Sequence, residues 1–144
     1  MLIFLMETQS MNTKIIDELT ERSLAGTITF PEQIKELIAN NIERYSVDLA
    51  GLTKSAYDIN GESYIHSFSF DPGTSAVAEH FDVQALKDAI LDSQKGVTTY
   101  QRFLHRAMAA GCCFYEVFIT GKKVIYFGRN GDLHTEYFPP QRAD

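Results

Sequence analysis

A histidine and a glutamate two residues apart, His134 and Glu136, stand in a run of strand-forming residues, Leu133-His-Thr-Glu-Tyr137. Strand residues at i and i+2 share a face, so imidazole and carboxylate would lie side by side as an acid/base pair. Tyr64 and His66 hold the matching places in an earlier run, Ser63-Tyr-Ile-His-Ser67. Were the two runs to meet about a twofold axis, two histidines, a glutamate and a tyrosine would converge. Such a set could move protons, or offer two nitrogens and a carboxylate to a metal. The His-x-Glu spacing is short and common, so neither a metal nor another cofactor is expected. His134, Glu136, His66 and Tyr64 are the catalytic candidates. With Phe127, placed opposite His134 if the intervening turn has two residues, they form the expected ligand-binding set.

Other chemistry finds less support. Residues 21–32 carry the glycine and final glutamate of a calcium loop, but Glu21, Ser23 and Ala25 stand where short oxygen ligands are needed. Cys112 and Cys113 are adjacent, so a bridge between them would need a strained turn, and small reduced thiols are expected. Cys113 as a nucleophile would need a base, and only His105 in the preceding helix offers one. Glu79 and His80 read as local capping ahead of a helix.

The elements that position these residues are written twice. Sliding residues 16–68 by 70 positions lays them without a gap on 86–138, with ten identities, among them Tyr45/Tyr115, Val47/Val117, Asn60/Asn130 and Gly61/Gly131. Such a self-match marks a duplicated supersecondary unit. Each copy reads helix, helix, strand, strand, strand. Thr29-Phe-Pro-Glu32 is a capping box, Asp82 caps a later helix, and Gly26 and Gly96 end helices. Asn41 and its counterpart Gly111 share tolerance of the left-handed conformation. Asn60-Gly61 and Asn130-Gly131 read as type I′ hairpins with positive φ at both residues. On that register Phe114, Phe118, Ile125, Phe127, His134 and Glu136 share the face that the helices of their own copy leave bare.

Composition bounds the rest. The 144 residues, 44% hydrophobic and 22% charged, suit one globular domain. A net charge of -6 argues against nucleic-acid backbones as partners. The first copy (16–68) holds four basic and nine acidic residues, net -5; the second (86–138) holds seven and five, net +2. The apolar start Met1-Leu-Ile-Phe-Leu-Met6 is too short to span a bilayer and lacks a basic flank, so a cytoplasmic protein is expected, with Met1, Met6 and Met11 as alternative starts.

Asp92-Ser-Gln-Lys-Gly96, Tyr100-Gln-Arg-Phe-Leu104, Tyr115-Glu-Val-Phe118 and Val124-Ile-Tyr-Phe-Gly-Arg-Asn-Gly-Asp132, with Gly26-Thr-Ile-Thr-Phe-Pro-Glu32 in the first half, resemble a family of small bacterial and phage proteins. It is known as domain of unknown function 1398, and some members carry the label "phage envelope protein". The resemblance covers about residues 12–139 and implies no activity, cofactor or catalytic residue.

The expected fold is α+β: one domain with a leader (1–11), repeat one (12–70), a linker (71–81) and repeat two (82–139), two pseudo-symmetric ααβββ units with antiparallel sheets and helices outside. Two stacked half-sheets in four layers best dispose of two apolar sheet faces; a single six-stranded sheet closed by a homodimer is the other arrangement. The expected function is a non-enzymatic module that binds a small molecule or protein at the seam between the repeats, without nucleic acid or membrane. A small hydrolase or isomerase using the His/Glu pair there is the alternative.

Overall fold

The computed structural model describes residues 10–70 and 76–139, so most of the expected leader and the first part of the expected linker lie outside the described residues. The first half holds α1 (Thr13–Ala25), α2 (Phe30–Ala39), β1 (Ile42–Asp48), β2 (Thr53–Asp58) and β3 (Ser63–Ser67). The second holds α3 (Val83–Gln94), α4 (Tyr100–Ala109), β4 (Cys112–Phe118), β5 (Lys123–Gly128) and β6 (Leu133–Tyr137). Among the described residues no helix is long and apolar enough to cross a membrane.

Local chemistry sets the helix ends. The Thr29 hydroxyl accepts from Glu32 N while the Glu32 carboxylate accepts from Thr29 N, which closes the capping box and lowers the pKa of Glu32. Asn12, Asp82 and Thr99 each accept an amide of the first turn that they precede. Gly26 and Gly96 leave their helices in the left-handed region.

The strands form one antiparallel sheet in the order β3-β2-β1-β4-β5-β6. This corrects the four-layer expectation: the half-sheets join edge to edge through β1 and β4 (Tyr45↔Val117, Val47↔Tyr115) instead of stacking face to face. The physical reason is legible afterwards. Stacking would have buried Arg44, Ser46, Asp48 and Ser55, which stand on the outer face of β1 and β2, and polar groups are costly to bury unpaired. The helices cover one face only, and the core lies between them and Ile42, Tyr45, Val47, Cys112, Tyr115 and Val117 of the central strands.

The hairpin turns also differ from expectation. Gly61 and Gly131 have φ of 84° and 89°, but Asn60 and Asn130 are not among the residues with positive φ. Gly131 N donates to Gly128 O, and Gly128 N to Asp132 O, so three residues and not two separate the last paired positions. That is a type I turn closed by a left-handed glycine. One extra loop residue moves the register by one and turns every β6 side chain to the other face. Tyr126 therefore faces His134, and Phe127 faces Leu133.

Candidate functional site

The five residues expected at one seam stand in three places. His134 and Glu136 lie on the helix-covered face at the β6 edge, level with Tyr126 and Val124, with imidazole Nε2 and carboxylate Oε2 2.6 Å apart. Tyr64 and His66 lie on the same face at the opposite edge, in β3. Five strand spacings separate these edges, about 24 Å, so the catalytic set does not assemble. Phe127 is on the far side of the sheet, its ring stacked on Phe114 at 4.4 Å and 9°.

Each edge pair has its own local partners. α1 lies over β3, so Asp17 Oδ1 accepts from the Tyr64 hydroxyl at 2.9 Å and lies 2.8 Å from His66 Nδ1. The neighbouring Asp17 carboxylate raises the pKa of Tyr64. His66 Nε2 is buried without a hydrogen bond, and Glu21 Oε2 lies 3.7 Å away, beyond bonding distance. Among the described residues no three His, Cys, Asp or Glu side chains are arranged to hold a metal ion. The Cys113 thiol donates to Phe127 O at 3.4 Å, and burial raises its pKa, the reverse of what activates a nucleophile.

The seam itself holds residues that the sequence reading passed over. Lys54 points from β2 into the covered face and is only 4% exposed, its ammonium 4.5 Å from the centre of the Tyr45 ring. Around it run two short polar chains. Ser23 Oγ donates to Gln33 Oε1 at 2.5 Å and Gln33 Nε2 to the Tyr45 hydroxyl at 3.0 Å. The hydroxyls of Tyr100 and Tyr115 meet at 2.5 Å. Burial pushes the Lys54 pKa down to about 7 and that of Tyr100 up to about 12, and raises those of Tyr45 and Tyr115. Thr20, Ser23, Gln33, Lys54 and Tyr100 form the polar part of the lining of a small cavity there, with Leu24, Val47 and Phe68 as its apolar part, joining helices of the first half to α4 of the second. A signal for this site existed: Lys54 and Gln33 align with Val124 and Phe103, so polar groups stand where the other half has apolar ones.

The uncovered face is the second feature. Over β1–β3 it carries Arg44, Ser46, Ser55, Tyr57 and the exposed Ile65, with Arg44 3.7 Å from the Tyr57 ring centre and 2.9 Å from Glu116 across the seam. Over β4–β6 it carries Phe114, Phe118, Ile125, Phe127, Leu133 and Tyr137, with Glu116, Lys123 and Thr135 among them; Leu133 and Tyr137 are 57% and 69% exposed.

No curated protein matches the chain. A family model described as "Protein of unknown function (DUF1398)" matches residues 27–136, which take in α2 to β6 nearly whole, and the chain belongs to that family.

Proposed function

We propose that the chain is a non-enzymatic binding module, built as two copies of one ααβββ unit, and that its binding surface is the open sheet face over β4–β6. The occupant is a second copy of the chain. The observation that carries this reading is the aromatic patch from Phe114 to Tyr137, which no element among the described residues covers. Exposed apolar patches of roughly 400 Å² mark interaction surfaces.

Charge favours self-association through this half. The second half is net +2 and the first net -5, so a twofold axis through β4–β6 keeps the two acidic halves apart. Glu116, the acidic residue inside the patch, is already paired with Arg44. Sheets stack about 10 Å apart, so Phe127 and Ile125 of each copy would interdigitate with their equivalents. A stable dimer buries about 800 Å² per partner, which extends the contact past the aromatic patch to Tyr57 on the seam side.

The test is mass in solution. Light scattering on the eluting protein at about 50 µM should give twice the 16.3 kDa chain mass. Phe127→Asp should return the monomer with its circular dichroism unchanged, because the side chain faces outward. A monomeric parent protein overturns self-association and leaves the face to a different partner. A dimer indifferent to Phe127→Asp places the contact elsewhere.

A further inference from the structure

The hydrogen-bond inventory around Lys54 leaves donors without acceptors. Tyr45 accepts from Gln33, and among the described residues its own proton meets no acceptor. In the Tyr100–Tyr115 pair one hydroxyl donates to the other, which leaves one phenolic proton to place. The Thr20 hydroxyl donates to Ile16 O and Ser23 to Gln33; each keeps lone pairs to accept with, but among the described residues neither accepts a hydrogen bond from these groups. The Lys54 ammonium brings three further donors. Among the described residues it makes no hydrogen bond and no carboxylate lies within ion-pair distance; the Tyr45 ring lies 4.5 Å from it. A mostly buried ammonium that lines the cavity and meets no protein anion leaves its charge to the cavity's contents.

We propose that the cavity lined by Thr20, Ser23, Gln33, Lys54 and Tyr100 binds a small monovalent anion, held by the Lys54 ammonium and a tyrosine hydroxyl. Its interior as it stands takes about one water-sized body, so the occupant is at most a halide or the carboxylate end of a molecule such as formate, admitted by a small shift of the flexible Lys54 side chain. Water could accept the same hydrogen bonds, but only an anion also neutralises the ammonium. The site needs both halves of the chain, because Tyr100 comes from α4 and the other four residues from α1, α2 and β2. It is independent of the sheet face on which the dimer reading rests.

Binding follows the charge of Lys54. Its amine carries a proton below about pH 7 and loses it above, so the anion is held more tightly on the acid side. The ionisable groups facing it are Tyr45 of β1, His66 of β3 (its register partner), Tyr115 of β4 and Tyr100 of α4, with Asp17 and Glu21 of α1 beyond His66.

The experiment is thermal unfolding at constant ionic strength, with gluconate replaced stepwise by bromide or by formate, at about pH 6 and about pH 8.5. The parent protein should show a saturable rise in Tm of several degrees at the lower pH and a smaller one at the higher. Lys54→Met should abolish the rise, and His66→Gln, which removes the neighbouring ionisable group, should keep it. Crystals soaked in bromide should place its anomalous signal beside Lys54 Nζ, which decides the matter if Lys54→Met does not fold. A rise with bromide alone identifies a halide site, and one with formate alone a carboxylate site. No saturable rise, an equal rise in Lys54→Met, or bromide elsewhere only, overturns the proposal.

Discussion

Lys54 illustrates how a single side chain can set the pH profile of a small domain. Its folded pKa near 7 lies far below the 10.5 of an exposed lysine. Between those values the unfolded chain holds a proton that the folded chain has given up, so stability rises with pH through this window. The neutral amine contributes its full effect only above the unfolded pKa, and the effect is lost as pH falls through about 7. Cys112, whose burial pushes its pKa from 9.0 up to about 12, acts in the opposite sense: its contribution fades as pH climbs past 9. In an anion-poor buffer, stability by urea unfolding should therefore increase by about 2–3 kcal/mol from about pH 7 to about pH 9, level off to about pH 10.5 where the two effects oppose, and decline above that. Lys54→Met should flatten the rise and be the more stable protein at pH 7, since it removes the cost of desolvating the charge. A parent profile that is flat or falls over that interval would sink this account. Of these residues, His134, Glu136, Tyr64 and His66 could be picked from sequence by type, but not their separation. Lys54 stood in plain alternation with Ala56 and was passed over because a lysine in a strand is usually read as solvated.

The elements show which signals are local. Helix caps at Thr29 and Asp82 and the glycine stops were legible because a cap's partners lie within four residues. The hairpin register was not, because Asn-Gly fits both a two-residue and a three-residue loop, and the choice decides which face His134 occupies. The α2 and α4 exits show a finer difference. Asn41 and Gly111 both adopt positive φ, 63° and 89°. A side chain at 111 would also collide with the His80 carbonyl and lie 2.9 Å from Phe81 Cα, because the chain entering α3 crosses there, with Asp82 N bonded to Ala110 O. Gly111 thus serves close approach as well as conformation. Gly111→Asn should cost about 3 kcal/mol or more in urea unfolding, while Asn41→Gly should change stability by less than about 1 kcal/mol. Equal effects at the two sites would mean that the crossing chain yields easily and that φ alone governs both.

At the scale of the molecule, the two halves are tied by the β1–β4 ladder and by helices that reach across it, with Gln101 Nε2 of α4 donating to Leu24 O of α1 at 2.7 Å. Nothing local announces that ladder: Tyr45 and Val117 are 72 residues apart, and an unpaired β1 would carry the same alternation. The polar outer face of β1 and β2 was the overlooked clue, since a stacked arrangement would have hidden it. The ladder makes a clear demand on the separated halves. Residues 12–70 alone would expose the whole edge of β1, and 76–139 alone that of β4, each with half of the seam core, Tyr45 with Gln33 on one side and Tyr115 with Tyr100 on the other. Long uncovered edges beside apolar surface recruit other chains. Each half expressed alone should therefore be largely insoluble, whereas the two expressed together should co-purify as a one-to-one complex with the helical and strand content of the parent. Val117→Pro on the second fragment removes a ladder donor and should abolish the co-purification. Were either half soluble and folded alone, the seam would be an interface between two independent units, and the cavity at Lys54 would lose its claim to be a fixed part of one core.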